Sequence, residues 1–192
     1  MKLKKTIATL TAATMVMASA MTVCAADFPN LKGSNTEVLV AGDTNLTSVA
    51  GDYSSRIVRG AAVLTPYEDV KAALGLNADQ RPSIVVYDAE DKSSPEAFAS
   101  LNTAVEELGG ETVGALYIEL GGKENGKWIT TSDGTVTVKA GLPKTADKSK
   151  SYSIVRVEED GVTTVLEDLD NSDKTVTFEA VSGVATYGIV AK

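Results

Sequence analysis

Apolar and polar positions alternate in short runs through much of this chain, and Gly, Asp, Asn and Ser interrupt the runs at roughly 8–12-residue intervals. The pattern is clearest after residue 111. Strands are predicted over residues 113–120, 127–131, 135–140, 152–157, 162–166, 175–179 and 185–190, with turns at residues 121–126, 132–134 and 159–161. Val176 and Phe178 alternate with Thr175, Thr177 and Glu179, which predicts one buried and one wet face.

The first half has a different texture. Residues 37–40 and 56–64 read as strands, and the intervening Gly, Asp, Asn, Ser and Thr of residues 42–55 read as loop. Thr65-Pro66-Tyr67-Glu68 has the layout of a capping box, so a short helix is expected with Val70, Ala73 and Leu74 on one face and Gly75 at its end. Residues 83–87 form a nearly continuous apolar run, the mark of a strand buried on both faces. Ser94 and Pro95 then open a helix whose Phe98, Leu101, Val105 and Leu108 recur at helical spacing before Gly109-Gly110. The expected fold is mostly β with two helices, an α+β chain with an antiparallel β-sandwich in its C-terminal half. Its divisions are an α+β part over residues 36–110 and the sandwich over 111–192. The pattern leaves open whether the first part is a separate lobe or packs its helices on the same sheet.

Residues 1–25 have the layout of an export signal: Lys2, Lys4 and Lys5, an apolar stretch over residues 7–20, and small residues around Ala25 for cleavage. Thr9, Thr11, Thr14 and Ser19 dilute that stretch below what a membrane span needs. Cys24 offers a second reading as a lipid acceptor, although Val23 before it is bulkier than the usual residue. Residues 26–35 read as a flexible polar leader.

Cleavage sharpens the charge. The whole chain carries a formal −8, and without the three signal lysines 15 basic residues face 26 acidic ones, a formal −11. Nucleic acid and anionic lipid are poor partners for such a chain. Histidine is absent and the single cysteine lies in the signal, which excludes thiol nucleophiles, His-based triads and the usual zinc or copper sites. No cofactor is called for.

Three sets of residues carry candidate chemistry. Asp168, Asp170, Ser172 and Glu179 occupy positions one, three, five and twelve of a calcium-loop template, but Asp173 stands where the template needs Gly; the competing reading is a solvated hairpin loop. Trp128, the only tryptophan, either anchors a core or rim or stacks on a sugar beside Tyr117 or Tyr152. The adjacent acids Glu106-Glu107, Glu158-Glu159-Asp160 and Glu167-Asp168 are the material for a carboxylate hydrolase, though adjacency sends strand neighbours to opposite faces.

The stretch from Gly114 onward carries a resemblance. Ala115-Leu116-Tyr117-Ile118-Glu119-Leu120, Asn125-Gly126-Lys127-Trp128, Val136 to Val138 before Leu142-Pro143, Asp160-Gly161-Val162 and Ala185-Thr186-Tyr187 resemble immunoglobulin-like or Greek-key β-sandwich modules of secreted and surface proteins of Gram-positive bacteria. The resemblance implies a spacer, adhesion or other binding role and no catalytic residues. The chain differs in having two helices ahead of the module and no visible sortase motif. These readings converge on a secreted, non-enzymatic binding or structural domain at the bacterial surface or outside the cell, with an extracellular protein or polysaccharide as partner. A carbohydrate-binding module using Trp128 is the alternative, and a carboxylate hydrolase the third.

Overall fold

The computed structural model describes residues 37–41 and 43–192. Residues 1–25, Cys24 among them, where an export signal is expected, and the expected leader over residues 26–35 lie outside the described residues. In chain order the elements are β1 (Glu37–Val40), β2 (Asp43–Leu46), β3 (Gly51–Ser54), β4 (Ala61–Val63), α1 (Tyr67–Ala73), β5 (Arg81–Asp88) and α2 (Pro95–Leu108). There follow β6 (Glu111–Glu124), β7 (Lys127–Ile129), β8 (Thr135–Gly141), β9 (Tyr152–Glu158), β10 (Thr163–Glu167), β11 (Thr175–Val181) and β12 (Gly183–Ala191).

A seven-stranded sheet runs β10-β9-β12-β6-β5-β3, with β7 paired to the end of β6, and faces a three-stranded sheet ordered β11-β8-β4. β1 and β2 form a separate antiparallel pair. The period-two alternation sorts the central strands β5, β6, β9 and β12 of the large sheet between two cores. Ile84, Val86, Leu116, Ile118, Leu120, Tyr187 and Ile189 face Val138, Val176 and Phe178 of the small sheet. On the other side Tyr87, Ala115, Tyr117, Val155 and Val157 lie under Leu101, Ala104 and Val105 of α2. Gly188 allows that helix to settle, since a Cβ there would come within 2.4 Å of Leu101 Cδ1. The mostly-β chain with two helices is therefore a sandwich with α2 as a third layer.

Both parts of the chain build this sandwich. β5 pairs with β6 from Arg81↔Lys123 to Asp88↔Leu116, and β4 pairs with β8 through Ala61↔Ala140 and Val63↔Val138. Residues on either side of position 110 thus share one core, which answers the question the sequence pattern left open.

Several local expectations change. Residues 42–55 are not simply loop: they contain β2 and β3, and β3 runs parallel to β5. A polar edge strand needs only its partner's backbone, so composition does not reveal it. The predicted strand over 56–64 shrinks to β4, because residues 55–58 bend around Asp88, whose carboxylate accepts from Ser55 Oγ and the N–H groups of Arg56, Ile57 and Val58. The capping box does not form. Pro66 is the N-cap of α1 without a side-chain cap, and Thr65 Oγ1 instead accepts the N–H of Thr137 at 2.7 Å. Gly75 and Gly109 end the helices as expected, each with φ of +64°.

Candidate functional site

Trp128 stands on β7 opposite Lys123, after a tight turn in which Asn125 and Gly126 both have positive φ, at 50° and 78°. Those angles belong to the two-residue hairpin turn that matches strand twist. The turn is shorter than the sequence predicts, since Gly121 and Gly122 remain inside β6. Their lack of side chains has a packing reason. A Cβ on Gly121 would lie 3.0 Å from Trp128 Cζ3, and one on Gly122 would lie 2.5 Å from Leu76 Cδ2. The indole is thereby held close to bare backbone while 39% of the residue stays exposed.

Lys123 joins the indole to a groove. Its ammonium sits 4.7 Å from the Trp128 ring centroid, a cation–π contact, and the same side chain lines an open groove of about 510 Å³ with Asp52, Asp79, Arg81, Ser83 and Asn125. These groups come from β3, the turn before β5, β5 itself and the β6–β7 turn. Two acids, two bases, a hydroxyl and an amide line one depression beside an aromatic ring. The volume falls in the range of small-ligand sites.

Neither tyrosine named as a stacking partner joins that rim. Tyr117 is buried and stacked on Tyr87, their centroids 4.5 Å apart, and burial pushes its hydroxyl up to about 12. Tyr152 packs against the sandwich core and donates its hydroxyl to Asp147 O at 2.7 Å.

Glu119 precedes Gly121 and Lys123 on the same face of β6. Burial holds its carboxyl above the ordinary value of 4.5, with Lys123 pulling it down and Glu159 pushing it up. A carboxyl that binds its proton more tightly when folded costs stability as pH rises from its unfolded value through its folded one, so the penalty is greater at pH 7 than near pH 4. Glu119→Gln is therefore expected to melt higher than the parent at pH 7 and to lose that advantage near pH 4. Equal melting temperatures at both pH values, measured by calorimetry, would contradict this.

The calcium-template residues are occupied by their own chain. Asp168 Oδ1 accepts the N–H of Thr177 at 2.8 Å and of Asp170 at 3.1 Å. Asp170 accepts Thr177 Oγ1 at 2.7 Å, Thr175 Oγ1 at 3.0 Å and the N–H of Ser172 at 2.7 Å. Burial raises the Asp168 carboxyl against those amide bonds. For Asp170 burial acts in the same direction, but the hydroxyl and amide donors and Lys139 outweigh it and hold the carboxyl low. Glu179 accepts Thr137 Oγ1 at 2.8 Å. The loop thus folds over the outer face of β11, and Thr175 and Thr177, expected to be wet, are each only 5% exposed. Among the described residues no cluster of three or more His, Cys, Asp or Glu is placed to hold a metal.

Asp52, Asp79, Arg81 and Ser83 were not singled out by sequence reasoning. No local motif marks them, because only the pairing of β3, β5 and β6 brings them together. No protein-family model, curated protein or solved structure matches the chain. Among the described residues no helix is long and apolar enough to cross a membrane.

Proposed function

We propose that this is an exported, non-enzymatic binding domain of the bacterial surface or its surroundings, and that the groove beside Trp128 is its ligand contact. The observation that carries the proposal is the half-exposed indole, held against bare β6 backbone and tied by Lys123 to a polar groove. A binding protein benefits from a large rigid ring at a rim, because little entropy is lost when a partner covers it.

A saccharide is the ligand class this arrangement favours. An indole that is 39% exposed offers surface for stacking beside the Lys123 ammonium, and Asp52, Asp79, Arg81 and Asn125 supply the planar hydrogen-bonding groups that read hydroxyls. The absence of histidine and the expected loss of Cys24 with the signal support binding over catalysis.

Trp128 is a built-in reporter as the sole indole. Titration of an array of bacterial oligosaccharides is expected to change its emission, and Trp128→Ala is expected to weaken binding about tenfold or more, the effect of losing one stacked ring. Its melting temperature should stay close to the parent's, since the ring is part of no buried core cluster. Undiminished binding by a folded Trp128→Ala protein would remove the proposal.

A further inference from the structure

A second groove, of about 480 Å³, opens where β1, β3 and the 55–60 segment meet. Its charge is opposite to that of the chain. Arg56, Arg59 and Lys144 line it and no carboxylate does, in a protein with 26 acidic and 18 basic residues. None of the three takes part in an ion pair among the described residues, where the cations that do are Lys139, Lys148, Lys150 and Arg156. Asp88, at the end of β5, turns its oxygens to Ser55 Oγ and the three N–H groups of the 56–58 bend.

The bend and its neighbours are firmly seated. Asp88 fixes the backbone that presents Arg56. Arg59 is clamped between strands, its N–H donating to Gly141 O at 3.0 Å and its C=O accepting the N–H of Ala41 at 3.0 Å. Gly60 has φ of +85°, and a Cβ there would fall 1.9 Å from Leu39 O, so the approach of the chains requires glycine. Between these cations the groove is lined by Ser54, Ser55 and the half-buried Tyr53, with Leu39 left 59% exposed beside them, while Val58, Val86 and Ala61 lie beneath as buried core residues.

We propose that this groove binds a small organic anion, its carboxylate or phosphate held by Arg56, Arg59 and Lys144 and its apolar body resting on the exposed Leu39 and the edge of Tyr53. Three cations without an ion-pair partner among the described residues supply charge-assisted donors, and the exposed Leu39 beside them favours an amphiphilic ligand over a bare ion. The site is separate from the Trp128 groove and does not depend on that reading.

Decanoate and decyl phosphate, titrated separately into the full mature chain with amide shifts followed by NMR, test the proposal. Either is expected to shift residues 39, 56–60 and 144, and whichever binds identifies the head group. Arg56→Gln combined with Lys144→Gln, both exposed positions, is expected to weaken binding about tenfold while the melting temperature is retained. The proposal is overturned if neither anion shifts those amides, if decyltrimethylammonium binds as tightly as the anions, or if the double variant binds like the parent.

Discussion

Phe178→Ala is expected to lower the unfolding free energy by about 3–5 kcal/mol, the usual effect of emptying a large aromatic from a closed core. Phe178 is 1% exposed on β11 and stacks on Tyr187 of β12, with ring centroids 5.0 Å apart and planes at 30°. These two rings join the small sheet to the large one within the core that also holds Val136, Val138, Ile189 and Leu116, and a close-packed interior relaxes only partly into such a gap. Tyr187 is itself tied by its hydroxyl, which accepts the N–H of Val181 at 2.9 Å; burial pushes that hydroxyl up to about 12. A domain with a total stability of about 5–15 kcal/mol would lose much of it. Chemical denaturation measures the change. A loss below about 1 kcal/mol would mean the two sheets do not share the interior described above.

Gly51→Ala is the second large effect, and it links stability to the Trp128 groove. A Cβ at Gly51 would lie 1.8 Å from Ile84 O, a backbone atom that cannot swing aside. β3 pairs with β5 through Gly51↔Ile84 to Ser54↔Tyr87, so a methyl group there pushes the whole edge strand away. Overpacking of this kind costs about 1–3 kcal/mol. Because Gly51 and Asp52 line the groove and β5 supplies Arg81 and Ser83, the same displacement is expected to abolish binding at that groove. Ligand affinity unchanged in a Gly51→Ala protein would show that the β3 side of the groove contributes nothing. Binding lost together with a lower melting temperature is the expected result.

Much of the secondary structure was legible in the sequence because it rests on local chemistry. The helical spacing of Phe98, Leu101, Val105 and Leu108 predicts α2 and its buried face, and Gly109 its end. The apolar run over residues 83–87 predicts β5 and its burial on both sides. Thr175 and Thr177 are buried despite the alternation, for a physical reason. Their alternation with Val176 and Phe178 identifies the side facing the other sheet correctly, but the polar face is then roofed by the Asp168–Asp170 loop. A threonine hydroxyl satisfied by a carboxylate can be buried as readily as an apolar group, and alternation cannot distinguish the two cases.

The candidate site divides in the same way. Trp128 stood out as the only indole, and the Asn125-Gly126 turn that presents it was readable from its residue types. Its exposure was not, since that depends on Gly121 lying beneath the ring and on Lys123 alongside it. Asp168 and Asp170 matched a metal template in spacing, yet their oxygens accept from hydroxyl and amide groups of β11 that lie several residues further along the chain.

Hydrophobic periodicity alone was sufficient for the type of most elements, for the faces of α2 and β5, and for a mostly-β chain with two helices. Composition by itself removes imidazole chemistry, since the chain has no histidine. Neither could say which strands pair. β3 beside β5, β4 beside β8 and one core shared across residue 110 are outcomes of long-range packing. Periodicity tells each strand which face to bury, but partner and register follow from shape, close backbone approach at glycines and the satisfaction of edge hydrogen bonds. Both grooves arise from that pairing, which is why their residues are scattered along the sequence and meet only in the folded chain.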